Sequence, residues 1–242
     1  MQKSHSGVFI VAEIGVNWNG DLELAEQMMN IAKNAGCDAV KFQAFNEELI
    51  KEHPEKERLL KTSISQENIK KIDDISKRVG IEWFCTPMFP KAIEFLEPYV
   101  KRYKIRVFDG RPLFQNKWTE LLEQVTKTGK EVIISCEKDP NQTKLYQNKK
   151  IRWLYCVAKY PCSLEDLDFS NIENFNGYSN HCPDIIAPLT SSILGASIIE
   201  VHITLDKLKD FIDNSVSFEP SELMELVEKI RKSEKIMSNI KK

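Results

Sequence analysis

Short apolar runs and helix-periodic stretches alternate along this chain from one end to the other. Eight runs, at 8–14, 38–43, 81–85, 102–106, 131–135, 152–157, 175–180 and 198–203, are rich in β-branched or aromatic residues and bounded by turn residues, which predicts strands. Helical patterns fill the gaps at 21–35, 66–79, 90–97, 114–128, 183–194 and 219–240, with weaker ones at 140–148 and 163–172. Asp21 and the SISQEN segment at 63–68 supply helix starts, and Pro220 suits the first turn of the last helix. Gly36, Gly80 and Gly129 stand where a helix C-cap calls for a left-handed residue. Eight strand–helix units in 242 residues predict a (β/α)8 TIM barrel, one domain spanning 1–242. An open doubly wound sheet would favour roughly five to seven strands and a glycine-rich first turn, which VNWNG is not.

Composition narrows the class of function. Hydrophobic residues make up 42% and charged residues 29%, enough for a sizeable core. The net charge is −2 and the basic residues are spread out, so a nucleic-acid partner is not expected. No apolar run reaches the roughly 20 residues that cross a bilayer, and no signal peptide is visible, so a cytoplasmic protein without membrane contact is expected. The six cysteines form no C-x-x-C pair and several sit in strand-like runs, which reads as buried free thiols.

In a barrel of this kind the C-terminal strand ends build the active-site rim. Those positions hold Glu13, Asn17, Lys41, Gln43, Thr86, Lys104, Arg106, Ser135, Tyr155, Lys159, Asn180, His181, Glu200 and His202. Several cations facing histidines and carboxylates suit a small anionic, phosphorylated substrate, with a metal as an option. Structural readings stand beside these. Lys41 could pair with Glu13, His181 could be a hydrogen-bonding loop residue, and Glu200 and His202 could form a salt-linked pair. Tyr160-Pro161 reads as turn chemistry.

The motifs AEIGVNWNG (12–20), AGCDAVKFQAF (35–45), FCTPMF (84–89), LYCVAKYPC (154–162), GYSNHC (177–182) and GASIIEVHITLDK (195–207) occur in that order. Together they resemble the N-acetylneuraminate (sialic acid) synthase family over nearly the whole chain. That resemblance implies a (β/α)8 barrel that condenses phosphoenolpyruvate with a sugar aldehyde such as an N-acylhexosamine. A nonulosonic acid and phosphate result, in surface-carbohydrate biosynthesis. It implies a divalent metal, Mn2+ or Mg2+, held by His181, with His202 or else Glu200 on the next strand as the ligand that would complete the site here. It places Lys41, Lys104 and Ser135 where phosphoenolpyruvate binds, and it matches Glu13, Gln43 and Asp213 to residues around the substrates.

Departures accompany the match. Trp18 replaces a histidine and is expected to reshape the sugar side of the pocket, and Asn19 stands where some members carry a catalytic glutamate. Tyr155 replaces a second metal histidine, and Asn180 an aspartate. RVFDG replaces a glycine- and serine-rich turn, leaving Arg106 and Asp109 to stand in. The family's C-terminal antifreeze-like domain is expected to be missing, and a homo-oligomer is allowed for. Two other functions stay open: a catalytically impaired barrel that binds a phosphorylated or acidic sugar, and a Schiff-base aldolase using Lys104 or Lys159.

Overall fold

The computed structural model describes residues 7–239. All eight strands are present: β1 (Phe9–Gly15), β2 (Ala39–Ala44), β3 (Glu82–Pro87), β4 (Arg102–Ile105), β5 (Glu131–Cys136), β6 (Ile151–Tyr155), β7 (Gly177–Asn180) and β8 (Ile198–Ile203). Each pairs in parallel with the next, and β8 pairs with β1, closing the barrel. Closure leaves no exposed sheet edge among these strands. A short β9 (Ser217–Phe218) extends β8, with His202 opposite Ser217.

The helices form where apolar residues recur on one face. In α1 (Leu22–Ala35) the buried residues are Ala25, Met28, Met29 and Ala32, a spacing that lays one stripe on the barrel. The Asp21 carboxylate accepts from the Glu23 and Leu24 N–H groups, and Gly36 closes the helix in the left-handed region, as Gly80 does for α3 (Ile69–Val79). The long α8 (Pro220–Met237) buries Leu223, Leu226, Val227 and Ile230, each worth about 1.5–3 kcal/mol before entropy is counted. The remaining helices are α2 (Lys56–Thr62), α4 (Lys91–Leu96), α5 (Val107–Gly110), α6 (Glu120–Lys127) and α7 (Ile186–Ile193).

Three expectations change. The segments 140–148 and 163–172 hold only single 3₁₀ turns, at Pro140–Gln142, Leu164–Asp166 and Ile172–Asn174. Both segments are short, polar and interrupted by turn residues, so they lack the apolar stripe that would dock a helix. The helix expected over 114–128 starts at Glu120, capped by the Thr119 side chain. Among the described residues no helix is long and apolar enough to cross a membrane, and all six cysteines are buried and free.

Candidate active site

The strand ends open into a cavity of about 490 Å³, a size that suits small-molecule ligands. Its floor is a row of buried charges. Glu13 on β1 and Lys41 on β2 are register neighbours, and their side chains meet, Oε2 to Nζ, at 2.8 Å. Lys41 also lies 4.0 Å from Glu200 on β8, and the same carboxylate oxygen takes Lys104 of β4 at 2.8 Å. The row Glu13–Lys41–Glu200–Lys104 therefore alternates in sign, with no side chain more than 5% exposed. Alternation makes this burial tolerable, because each charge has an opposite partner inside the low-dielectric barrel. Burial alone would pull the Lys41 ammonium down, but Glu13 and Glu200 hold its pKa above the ordinary value. Burial would raise the Glu200 carboxyl, but Lys104 and Lys41 hold it below the ordinary range. Both groups are charged at neutral pH.

Uncharged donors and acceptors fix the row. Gln43 Nε2 donates to Glu13 Oε1 at 2.7 Å, Lys41 Nζ donates to Thr86 Oγ1 at 3.0 Å, and Ser179 Oγ donates to Glu200 Oε1 at 2.8 Å. Ser135 Oγ and Glu200 Oε2 are buried without a hydrogen-bond partner among the described residues, and both residues line the cavity. Buried polar atoms are rarely left single, so these two are free to meet a ligand.

Barrel topology separates two poles. Lys104, Arg106 and Ser135 come from β4 and β5, on the opposite wall from β8, β1 and β2, which carry His202, Glu13 and Gln43. Arg106 is held by Asp109, Nε to Oδ2 2.5 Å. On the other wall Asp213 Oδ2 sits 3.4 Å from His202 Nδ1, and Asn17 Oδ1 accepts from the Asp213 backbone N–H at 2.9 Å. Asn17 reaches in turn to Ile203 O and Ser217 Oγ, so one buried amide ties the β1 turn to the segment that carries Asp213. The charged partner of His202 is thus Asp213, while Glu200 serves the lysines.

His181 follows β7. Its Nδ1 donates to Val157 O at 2.9 Å, which leaves Nε2 as the lone-pair nitrogen. Burial first, and His202 next, lower its pKa to about 4, so the imidazole is neutral at pH 7. Asn180 shapes the turn that presents it, bonding the Cys182 backbone through both amide atoms. Tyr160, read from sequence as turn chemistry, brings its hydroxyl within 3.0 and 3.1 Å of the two His202 nitrogens. Its ring centroid lies 4.6 Å from that of His181. Only its place just past β6 could have signalled this.

Some expected residues lie elsewhere. Tyr155 packs its ring against Phe169, Phe175 and Tyr178, its hydroxyl accepts the Asp168 N–H, and it does not line the cavity. Asn19 also lies outside the lining, its Oδ1 near Arg58 at 3.4 Å. Lys159 is 62% exposed and pairs with Asp166, so it offers no amine to the cavity. Trp18 does not line the pocket either. It is 1% exposed, edge-on to Phe42, and its indole N–H donates to Thr62 O at 3.0 Å.

The effect of Trp18 on the pocket is therefore indirect. It pins α2, whose Leu59 does line the cavity along with His53. Gly20 completes the joint: with φ of +77°, a Cβ there would stand 2.5 Å from Lys61 O.

The donor set forms no cage of three side-chain ligands for a divalent ion. Among the described residues no three His, Cys, Asp or Glu side chains gather as ligands, and Tyr155 faces away. The His181 and His202 ring centroids are 5.6 Å apart, but the Tyr160 hydroxyl lies within 3.1 Å of both His202 nitrogens and Asp213 Oδ2 stands 3.4 Å from Nδ1. A protein-held zinc ordinarily takes at least three such ligands, whereas Mg2+ is held through one or two side chains with water and substrate oxygens completing its shell.

Comparison with known proteins gives a consistent picture. The NeuB family matches residues 28–242. N,N'-diacetyllegionaminic acid synthase of Legionella pneumophila is 30% identical over 96% of this chain and 73% of its own length. Human N-acetylneuraminate-9-phosphate synthase is 31% identical over 96% and 71%. The crystal structure of an N-acetylneuraminic acid (sialic acid) synthetase from Leptospira borgpetersenii, in complex with citrate, superposes with a TM-score of 0.84 at 30% identity. It covers 97% of this chain and 86% of that one.

Proposed function

Because this chain belongs to the NeuB family, we propose that it condenses phosphoenolpyruvate with the open-chain aldehyde of an N-acylhexosamine-like sugar, giving a nonulosonic acid and phosphate. The observation that carries the reading is the division of one cavity into a cation and hydroxyl pole and an acid and imidazole pole. Relatives whose names are sialic-type acid synthases support it.

Lys104, Arg106 and Ser135 suit the carboxylate and phosphate of phosphoenolpyruvate, since charge-assisted and hydroxyl donors favour such oxyanions. Substrate would draw Lys104 and Arg106 from Glu200 and Asp109, and Ser135 Oγ would gain the partner it lacks. Opposite, Glu13, Gln43 and Asp213 present acceptors and an amide to the sugar hydroxyls. The enol carbon forms a bond to the aldehyde carbon, and the aldehyde oxygen takes a proton. Tyr160, hydrogen-bonded to His202 and backed by Asp213, is the hydroxyl placed to supply that proton. Water then adds to the oxocarbenium carbon and gives up a proton that restores the Tyr160 hydroxyl; the C–O bond to phosphate breaks as the carbonyl forms, and phosphate departs with the remaining hydroxyl proton.

The direct test is release of inorganic phosphate from phosphoenolpyruvate, dependent on a sugar, with a panel of N-acylated hexosamines. Sugar-dependent release that falls by about 10²-fold or more in Lys104→Met supports the assignment. Absence of release with every sugar refutes it.

A further inference from the structure

We propose that His53 is a specificity-determining residue for the second substrate: its Nε2–H donates to an oxygen at the end of the acceptor remote from the aldehyde. This rests on the condensation reading above and names a group that reads that substrate.

His53 stands in the turn between β2 and α2. Its backbone is fixed there, because its N–H donates to Ile50 O at 2.9 Å and its carbonyl accepts the Lys56 N–H at 3.1 Å. The ring is fixed too, since Nδ1 accepts the Glu55 N–H at 3.1 Å. A ring nitrogen that accepts a backbone N–H carries no proton, so the neutral imidazole has its proton on Nε2. The side chain is exposed and lines the cavity.

The rest of this wall offers little that competes with that N–H. Val16, Leu59, Met88 and Ile212 present carbon to the cavity, and Glu13 and Asp213 present carboxylates. Gln43, the amide of the wall, donates to Glu13. His53 therefore brings a donor to a wall of carbon, carboxylates and a committed amide.

Barrel geometry says which part of a sugar it meets. β2 and β6 lie on opposite sides of the closed ring of eight strands, so His53, past β2, lies across the mouth from Tyr160, past β6. With the aldehyde at Tyr160, the N-acyl carbon beside it stays near the centre and the distal carbons extend toward α2. A hydroxyl or acyl oxygen on those carbons accepts from Nε2–H. A bare carbon in its place would strip water from the N–H and return nothing.

The experiment measures phosphoenolpyruvate-dependent phosphate release at varied N-acetylmannosamine and, in parallel, at varied 6-deoxyhexose with two acetamido groups. Two substitutions separate the two bonds of the ring. His53→Asn keeps an oxygen near the place of Nδ1 for the Glu55 N–H but has no donor at the reach of Nε2, whereas His53→Gln puts an amide N–H at that reach. For the sugar that is used, His53→Asn should raise KM about fivefold or more, with kcat and the KM for phosphoenolpyruvate within about twofold of wild type. His53→Gln should bring the sugar KM back to within about twofold. A sugar KM unchanged in His53→Asn, or a deficit that His53→Gln shares in full, overturns the inference and leaves the condensation standing. Release with neither sugar overturns both.

Discussion

Replacing Glu200 with Gln tests the buried charge row while preserving shape. Glu200 faces Lys104 at 2.8 Å and Lys41 at 4.0 Å. At an effective dielectric of about 20, Coulomb's law puts those attractions near 6 and 4 kcal/mol. Most of that gross figure is offset, because the variant no longer buries a carboxylate. Breaking one partner of a buried pair costs about 3–5 kcal/mol net, and a row that borders an open cavity belongs near the lower end. For a protein of this size, about 3 kcal/mol lowers Tm by about 6–12 °C.

Scanning fluorimetry of the four tryptophans would read the shift. Lys104→Met/Glu200→Gln should be more stable than Glu200→Gln, since it removes both charges. The pH dependence has a defined sign. A carboxyl held below its unfolded pKa contributes stability above about pH 4.3, and that contribution fades as pH falls further. The Tm gap between wild type and Glu200→Gln should therefore shrink from pH 7 to pH 3. A Tm for Glu200→Gln within about 2 °C of wild type at pH 7, or a double variant as unstable as the two singles summed, would refute the reasoning.

Lys159→Met should leave sugar-dependent phosphate release within about twofold of wild type, because that lysine faces solvent beside Asp166; a large loss would reinstate it. Tyr155→Phe removes a hydroxyl that accepts the Asp168 N–H, so it should lower stability by about 1 kcal/mol in a chemical-denaturation series without changing kcat. A changed kcat would place that ring at the site. Burial pushes the thiols of Cys37 and Cys156 up to about 12. Ellman's reagent should therefore titrate almost no thiol in the native protein and six after denaturation, and rapid native labelling would contradict the buried placement.

The barrel was legible because short β-branched or aromatic runs bounded by turn residues are local signals, and eight of them in this length admit few architectures. Lys41, Lys104, Gln43 and Glu200 lie within strands, where alternation decides which side chains point inward, and they do reach the cavity. Beyond a strand end alternation no longer holds. Trp18, Asn19 and Lys159 sit in such turns and were expected at the pocket, whereas Tyr160, beside Lys159, was not. Rotation of a turn depends on what it docks against, which sequence spacing does not encode. Helix α2 escaped notice for a related reason: KERLLKT is two turns long and mostly polar, so little beyond tertiary contact announces it.

The indole of Trp18 holding Thr62 O, with Gly20 closed against Lys61, makes α2 a preorganised wall. The entropy of ordering that segment is then lost when the chain folds and need not be lost again at each encounter with a sugar. Selectivity gained this way is rigid: the acceptor end favours one shape and has little means of adapting to another. A lineage that changed its sugar would have to alter the joint at residues 18–20 together with the surface it supports.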